Sequence, residues 1–556
     1  SESQKKISAK HKYIIMPLLD SIQEDPVLLA GSVIIGFLMM FLFFTWPDHL
    51  PSSLPGVGRN IPYLSGMPVI FANIMRFPDF FTEKNLEYQG KTWGIPMPKI
   101  GMLGGSVIAV TTTESVKHLL KDNFENYVKG NDFRDGLGEF LGEGIFAADG
   151  PVWKFHRKVA SRMFTNRLLR ESTLIANKHS TRLIEHLKSK CKNSNNNATE
   201  IDIQDMFFRL TMDIFTFIAF GEDLESTTRD RPHEFATAFD TIQGFSEKRF
   251  YNPLWKINRF FQLTAGEREI TKYTNIIDTF AKKVISGKRR VLEQLDMSTS
   301  SKSGLDSDED VCRLGPDLLS RFLEDAVKKK EDEKKGISNE ARTNGTDKEL
   351  RDIVMNFMIA GRDTTACALS WTMYELLRNP KIMQQVREEF ESVFKSPEDI
   401  SYDEVNKLNF THAVVMETLR LHPSVPKDVK YAVKADTLPD GTHIPAGAAV
   451  VYCPYAMGRD HTIWPDPLTF KPERFLNKET GANTEPSVYT YPVFNAGPRL
   501  CLGKPLALME VKLITGMLLS NFDIEMAMDH DGGYASTIVL PMSPGLRVKL
   551  TPRDDC

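Results

Sequence analysis

The sequence feature that most constrains this chain is a short loop, residues 494–503, which reads Phe-Asn-Ala-Gly-Pro-Arg-Leu-Cys-Leu-Gly. Its cysteine, Cys501, lies between two glycines and two residues after Arg499. Because Gly497 and Gly503 lack a Cβ, we expect the backbone to turn sharply there and to pass close to a large ring. Arg499 offers a planar fork of donors that suits a carboxylate. The loop is therefore predicted to present a thiolate to a flat, anionic, metal-bearing ligand.

A helix is predicted directly after this loop. Apolar residues recur there at helical spacing, and Pro505 fits the first turn, where no backbone donor is needed; the apolar residues are Leu506, Met509, Leu513 and Met517. Cys501 would then lie at the positive end of the helix dipole, which favours the thiolate form. A haem iron with an axial cysteine requires such a thiolate. The alternative, a buried structural cysteine, does not explain the complete ten-residue string.

The second informative segment is Ala-Gly-Arg-Asp-Thr-Thr, residues 360–365, inside a helix predicted from about Glu349 to Arg378. A glycine in mid-helix costs about 1 kcal/mol relative to alanine, and polar residues in an apolar stretch cost more unless they are paired. Thr364 can donate back to the carbonyl of Ala360 and open the helix locally. This predicts a groove that accommodates a diatomic ligand and a water, the alternative being a solvent-facing polar stripe.

Two further pairs have helical spacing. Glu417 and Arg420 are three residues apart and can form an ion pair on one helix face. Trp153 and Arg157 are four apart and also share a face. Taken alone, either pair is equally typical of an ordinary surface helix.

Together these motifs, in this order and spacing, resemble the cytochrome P450 superfamily, and the resemblance covers nearly all of the chain after residue 70. It is closest to the plant and fungal branch that hydroxylates fatty acids and alkanes at the chain end. The segments that resemble this branch are 147–153, 202–221, 318–322, 359–365 and 494–507. The resemblance implies a mainly α fold of the α+β type, a helix-rich haem domain with a minor β-sheet region.

The resemblance also implies a role for each matching residue. Those that would bind haem are Cys501 as the iron ligand, with Arg499, Trp153, Arg157, Phe494, Gly497 and Gly503 around it. Asp363 and Thr364 would deliver protons for cleavage of the O–O bond. Glu417 and Arg420 would lock with Arg474 behind the haem, in a structural role. Some animal fatty-acid hydroxylases carry a covalently bound haem through a glutamate where this chain has Ala360, so haem b is expected to be noncovalent.

The implied chemistry needs an electron donor. The chain continues only from Cys501 to Cys556 after the loop, so no fused flavin domain is expected. Electrons would come from NADPH through a separate NADPH-cytochrome P450 reductase or through cytochrome b5. Positive charge that suits an acidic donor protein is expected on the same side of the haem, from Lys154, Lys158 and Lys504.

The main hypothesis is a membrane-tethered monooxygenase that hydroxylates long-chain fatty acids near the ω end. A monooxygenase of alkanes, sterols or another small lipophile remains open. So does a haem-thiolate enzyme that rearranges fatty acid hydroperoxides without added electrons, although the intact Asp363–Thr364 pair disfavours it. A non-catalytic haem sensor or carrier is the alternative from a different class.

Residues 27–46 carry no charge and, as a helix, would span about 30 Å, the hydrocarbon core of a bilayer. We therefore predict an N-terminal tail (1–26), a transmembrane anchor (27–46), a proline-rich hinge (47–70) and a catalytic domain (71–556). A cleaved signal peptide and a buried core helix are the alternatives. Lysines before the span favour a cytosolic N-terminus. The family resemblance implies instead a cytosolic catalytic domain on the endoplasmic reticulum, and we follow it.

The composition argues against nucleic-acid binding and against a fold held by disulfides or by a structural zinc. With 69 basic and 73 acidic residues, the charge balance gives no indication of nucleic-acid binding. Six scattered cysteines argue against a disulfide framework or a structural Cys-zinc site.

Strands are predicted near 433–451 and 538–550. The polar segments 298–316 and 328–348 are predicted to be exposed loops.

Overall fold

The computed structural model describes residues 36, 54–58, 66–97, 106–194, 197–252, 255–299, 317–335, 343–396, 399–535 and 537–553. Apart from the isolated residue 36, the predicted anchor (27–46) lies outside these residues, as does most of the predicted hinge. Among the helices that are described, none combines the length and the apolar character needed to cross a bilayer.

Helices make up most of the described chain. They are α1 (Met67–Asn73), α2 (Phe77–Glu87), α3 (Thr113–Lys117), α4 (Gly130–Leu141), α5 (Gly150–Ser161), α6 (Asn166–Lys192), α7 (Ile203–Phe220), α8 (Glu234–Tyr251), α9 (Trp255–Phe261), α10 (Ala265–Thr299), α11 (Leu318–Lys334), α12 (Asp347–Met358), α13 (Thr364–Arg378), α14 (Pro380–Val393), α15 (Tyr402–Val405), α16 (Asn409–Leu421), α17 (Pro454–Met457) and α18 (Lys504–Asn521). A π-helical turn, Ile359–Asp363, joins α12 to α13.

The strands are short and form small sheets. They are β1 (Trp93–Ile95), β2 (Val107–Val110), β3 (Tyr127–Val128), β4 (Thr199–Asp202), β5 (Asp428–Ala432), β6 (Asp436–Thr437), β7 (His443–Ile444), β8 (Ala449–Tyr452), β9 (Phe522–Met526) and β10 (Arg547–Pro552). The largest described sheet has the order β1-β2-β8-β5-β3, in which only β2 and β8 run parallel. β4, β10 and β9 form an antiparallel sheet, and β6 pairs with β7. The predicted helix-rich fold with a minor β region is confirmed.

Helix α7 lies at the centre of the packing. It contributes residues to two of the main hydrophobic clusters, with Phe207 and Leu210 in one and Met212 and Phe215 in the other. The first cluster also contains α6, α13, α16 and α18, and the second contains α4, α8, α10 and α12. A helix that is apolar on most of its circumference must be surrounded in this way.

One sequence expectation about a loop is wrong in part. Residues 328–334 of the predicted loop 328–348 continue helix α11. The reason is the amphipathic pattern that precedes them, since α11 buries Leu319, Phe322, Leu323 and Ala326 at helical spacing. The charged residues that follow prolong the helix, and Lys329 among them is buried at 6 % exposure. Of the other predicted loop, only residues 298 and 299 are described, and they end α10.

A buried ion-pair network fixes α16 to the chain that follows it. Glu417 and Arg420 have no exposed surface, and Arg420 Nε donates to Glu417 Oε2 at 2.7 Å. Arg474 Nε donates to Glu417 Oε1 at 3.3 Å. Arg420 also donates to the carbonyls of Pro467 at 2.7 Å and of Gly458. These three side chains therefore make the contacts that the sequence predicted for them.

Removing one partner of this network should destabilise the fold strongly. We expect Glu417→Ala to lower the free energy of unfolding by about 3–5 kcal/mol, because it leaves Arg420 buried without its carboxylate. Thermal unfolding and the yield of haem-containing protein would measure the effect. The exposed pair of Glu404 and Lys407 is the control, since Glu404→Ala should cost less than about 1 kcal/mol. Equal losses in both variants would contradict the structural role assigned to Glu417.

A buried carboxyl group lies where α18 packs against α13. Glu510 is 2 % exposed, and the side chain of Thr365 hydrogen-bonds to it. Burial raises the pKa of Glu510 to about 8, and the bond from Thr365 only partly opposes this rise. The folded protein therefore keeps a proton on Glu510 at a pH where the unfolded chain, with a pKa near 4.5, has lost it.

This difference predicts a specific pH dependence of stability. Between about pH 4.5 and 8 the unfolded state binds fewer protons at this position, so stability should fall as the pH rises, by about 1.4 kcal/mol per pH unit from this group. Glu510→Gln keeps the shape without the ionisation, so its melting temperature should fall less from pH 5 to 8 than that of the wild type. Glu525→Gln, at an exposed position of β9, is the control. Parallel curves for wild type and Glu510→Gln would refute the prediction.

Candidate active site

The cysteine loop is closed by its own backbone. The amide of Cys501 donates to the carbonyl of Phe494 at 2.8 Å. Between them Gly497 has φ +60°, and a Cβ there would lie 1.9 Å from the carbonyl oxygen of Leu120. Only glycine fits this position. The Cys501 side chain remains accessible at the end of the loop.

Gly503 differs from its expected part in the turn. Its φ is −83°, and an added Cβ would meet only ordinary contacts, 3.7 Å from the ring of Phe164 and 3.9 Å from the Cys501 sulfur. The positive φ of Gly497 confirms that the backbone turns sharply there, whereas the φ of Gly503 is open to any residue; the expected close approach of both glycines to a large ring stays a prediction. Gly503 instead lies at the N-terminal end of α18, with its amide close to the sulfur.

The surroundings of the Cys501 sulfur act on its ionisation in opposite directions. Burial by neighbouring atoms raises the pKa of the thiol. The backbone amides of Gly503 and Lys504 and the charge of Arg157 lower that pKa. Burial outweighs them, so the pKa of the thiol is raised overall. A bound metal ion, together with these donors and this cation, would favour the thiolate.

Arg499 joins the cysteine loop to helix α5. Its Nη2 donates to the carbonyl of Ala148 at 2.8 Å and to Asp149 Oδ1 at 2.9 Å. The guanidinium carbon lies 4.6 Å from the ring centroid of Trp153, and that of Arg157 lies 6.0 Å from the same ring. The three residues predicted around the ligand are thus brought together.

Around Cys501 and Arg499, basic side chains outnumber acidic ones. Burial lowers the pKa of Arg157, and within the described chain only Cys501 acts to raise that pKa, so no described carboxylate offsets the charge of Arg157. Nearby, Lys129 and Lys430 share one carboxylate, Asp428, at 2.5 and 2.9 Å. Burial raises the pKa of Asp428, but the two lysines outweigh it and hold that pKa well below its usual range.

The sequence motifs did not indicate Lys129, Asp428 and Lys430. Lys430 is 1 % exposed in β5, and burial lowers its pKa to about 7. The charge of Arg499 also lowers the pKa of Lys430, so the two cations are neighbours. None of these three residues lies within the strand region predicted at 433–451, so the sequence offered no signal for them. With Arg499 and Arg157, these two lysines place four basic side chains beside the carboxylates of Asp149 and Asp428, although Lys430 is only partly protonated near neutral pH. Such a surplus of basic groups suits an anionic ligand.

The predicted opening in the long helix is present. Thr364 Oγ1 donates to the carbonyl of Ala360 at 2.7 Å, and the backbone between them forms a π-turn. The carbonyl of Arg362 in this turn also accepts a hydrogen bond from Thr211 Oγ1 on α7 at 3.0 Å. Ala360, Gly361 and Thr364 are half-buried, whereas the residues on either side of this segment are buried. They therefore line an accessible groove.

Close packing explains the glycine in this turn. A Cβ on Gly361 would lie 1.8 Å from the ring of Phe215 on α7. Glycine destabilises a helix relative to alanine, but α7 and the π-turn approach each other so closely that only glycine fits between them.

Asp363 is buried beside the groove, with 1 % of its surface exposed. Burial raises its pKa to about 7; Arg362 lowers it and Asp240 raises it. Arg362 Nη1 donates to Asp363 Oδ1 at 2.9 Å, and Arg362 Nη2 donates to Asp240 Oδ2 at 3.1 Å. Asp240 is about half exposed, so this chain of charges runs from solvent to the groove. Sequence reasoning missed Arg362 and Asp240, since their pairing joins α8 to the π-turn.

These residues fit a haem group with a cysteine ligand. The loop offers an accessible sulfur with amide donors and a cation, and the surplus guanidinium and ammonium groups suit two propionates. The Glu510–Thr365 contact ties α18, which follows the cysteine, to α13, which follows the groove.

Comparison with known proteins agrees with this geometry. The family model for cytochrome P450 matches residues 67–544. Cytochrome P450 94A1 of Vicia sativa is 36% identical over 470 residues, which cover 82% of this chain and 83% of the relative. Cytochrome P450 704B1 of Arabidopsis thaliana is 32% identical over 533 residues, which cover 90% and 95%. The cytochrome P450 monooxygenase cyp1 of Mycosarcoma maydis is 32% identical over 467 residues, which cover 81% and 69%. The chain therefore belongs to the cytochrome P450 family, the haem-thiolate monooxygenases.

Proposed function

We propose that this cytochrome P450 hydroxylates long-chain fatty acids near the ω end, with O2 and with electrons from NADPH passed on by a separate reductase. The single observation that carries the oxygenase part is the π-turn, where Thr364 opens the helix next to an acid whose pKa is about 7. The substrate class rests on the resemblance to the plant and fungal ω-hydroxylase branch, which the plant relatives of the 94 and 704 groups support.

Each residue of the site would have a defined part in this reaction. The haem, when bound, supplies the iron at which O2 is activated. Cys501 would hold that iron through its sulfur, and Arg499, Trp153 and Arg157 would hold the propionates. Because Ala360 carries no carboxylate, the haem would be noncovalent.

Thr364 and Asp363 would manage the protons. The Thr364 hydroxyl donates to the Ala360 carbonyl at 2.7 Å, and these two groups would orient a water in the groove. Since the pKa of Asp363 is about 7, this acid can both accept and release a proton near neutral pH. Asp363 would exchange its proton with solvent when Arg362 shifts towards Asp240, which lies closer to the surface.

Exposed apolar side chains support an association of the domain with a lipid surface. At the end of α9 and just after it, Phe260, Phe261 and Leu263 are 81, 65 and 58 % exposed. Such exposure of adjacent large apolar residues is costly in water and is typical of an interfacial segment. Together with the predicted anchor, 27–46, it supports a location on the endoplasmic reticulum membrane.

The electron donor would dock near the cysteine loop. Two of the lysines predicted to serve there are already paired, Lys154 with Glu125 at 3.0 Å and Lys504 with Glu485 at 2.6 Å. Their local positive field is therefore weaker than the sequence suggested. NADPH-cytochrome P450 reductase, or cytochrome b5, remains the proposed donor.

A fatty acid series would test the substrate. The full-length protein with a P450 reductase and NADPH should convert C12 to C18 acids into products hydroxylated near the ω end. Cys501→Ser, which removes the thiolate, should abolish turnover and the carbon monoxide difference spectrum of the reduced protein. Turnover of alkanes or sterols with no hydroxylated acid would refute the fatty acid proposal and leave the oxygenase intact. Turnover of fatty acid hydroperoxides without NADPH would favour the rearranging enzyme.

Thr364→Ala would test the proposed proton delivery. Without the hydroxyl that orients the water, product per NADPH consumed should fall by about tenfold or more, while the carbon monoxide spectrum is retained. Thr279→Ala is a matched control, because Thr279 makes the same bond to the carbonyl four residues earlier, at 2.7 Å, on an exposed face of α10. Unchanged coupling in Thr364→Ala would contradict the mechanism, and the absence of NADPH-dependent product from the wild type and from both variants would favour a haem-binding protein without catalysis.

A further inference from the structure

A buried histidine on α6 lies beside two carboxylates, away from the haem-binding residues. His179 is 1 % exposed, and neither of its ring nitrogens has a hydrogen-bond partner within the described chain. One ring nitrogen and one oxygen from each of Asp213 and Asp223 lie within 4.8 Å of one another. Two buried polar atoms without partners are costly, and a histidine normally avoids this in a core.

Asp213 is held in place by hydrogen-bond donors from the turn that follows α7. It lies on α7 with no exposed surface. Its two oxygens accept from the amides of Ser226 and Thr227 at 2.8 and 3.1 Å, and from Thr227 Oγ1 at 3.2 Å. Burial raises the pKa of Asp213, whereas hydrogen bonds from the amides of Ser226 and Thr227 and from the Ser226 side chain lower it. Because a carboxylate has about four acceptor positions, a metal ion would replace one of these donors. Donors of this kind orient carboxylates that bind metals.

Asp223, just after α7, closes the cluster from the solvent side. Arg182, one turn after His179 on α6, donates to both of its oxygens at 3.0 and 2.6 Å. The amide of Glu225 also donates to Oδ1 at 3.1 Å. Arg182 therefore limits how strongly Asp223 can bind a cation but also holds its carboxylate next to the histidine. With both aspartates ionised and Arg182 charged, these four side chains carry a net charge of −1.

We propose that His179, Asp213 and Asp223 form a binding site for a divalent transition-metal ion of the Zn²⁺ type. A neutral imidazole with two carboxylates is a donor set that Zn²⁺ accepts, whereas Mg²⁺ and Ca²⁺ prefer oxygen alone. In a tetrahedral site with bonds near 2.1 Å the ligand atoms are about 3.4 Å apart. The three ligand atoms, which now lie within 4.8 Å of one another, would therefore approach one another by up to about 1.4 Å on binding. The ion would bind one of the two unpartnered ring nitrogens of His179. It would thereby link α6, α7 and the turn that follows α7.

Zinc content measures the site directly. The full-length, untagged haem protein would be treated with chelator, incubated with Zn²⁺ and desalted, and bound zinc would be measured against haem iron by mass spectrometry. We expect about one zinc per chain in the wild type and less than about a tenth of that in His179→Ala. His186→Ala is the matched control, since His186 lies on the same helix but outside this cluster and should leave the zinc content unchanged. His179→Cys, which supplies another zinc ligand, should retain it.

Two further measurements keep the test decisive. Zinc should raise the melting temperature of the wild type by about 2 °C and leave that of His179→Ala unchanged. If His179→Ala does not fold, Asp223→Asn takes its place, because this partly exposed side chain tolerates replacement; it should bind zinc about tenfold more weakly. Zinc content in the wild type no higher than in His179→Ala, or an equal loss in His186→Ala, would overturn the proposal and leave only an adventitious ion.

Discussion

The contacts of Arg499 are the interaction on which the rest of the active site depends. This single side chain donates to the carbonyl of Ala148 and to Asp149, and it stacks on Trp153. It thereby holds the cysteine loop, which comes late in the chain, against the start of α5. Because a guanidinium is planar and keeps its charge, it can serve as both brace and anion-binding group. Without this contact, the sulfur and the positive groups would not share one site.

The second half of the site is built by distorting a helix, and neighbouring elements compensate for the distortion. Side chains from neighbouring elements donate to carbonyls at this distortion, Thr211 on α7 to that of Arg362 and Ser424 to that of Thr364. Gly361 lets α7 come close enough for this, since any Cβ would overlap Phe215. The helix at the centre of the hydrophobic packing, α7, therefore stabilises the distorted turn at the groove. Function and core stability are therefore linked at α7.

Short motifs predicted the local features well because they depend on neighbours in sequence. The back-bond of Thr364, the helix after Cys501 and the pairing of Glu417 with Arg420 all join residues within four positions of each other. The sequence was less informative about contacts between residues that lie far apart in the chain. The basic surface near the cysteine loop was overestimated, because the acids that pair with Lys154 and Lys504 lie 29 and 19 residues away from them in the chain.

The sequence alone determined the chemistry available: a cysteine in a glycine-flanked loop, an acid–threonine pair in a helix, and the family that combines them. Only the tertiary structure decided how those groups are tuned. The pKa of Asp363 near neutrality comes from burial with Arg362 and Asp240, and the surplus of cations near Arg499 comes from Lys129 and Lys430 on separate elements. The physical reason is that desolvation and charge interactions depend on distance in space. Residues far apart in the chain meet only after the helices and the sheet have packed.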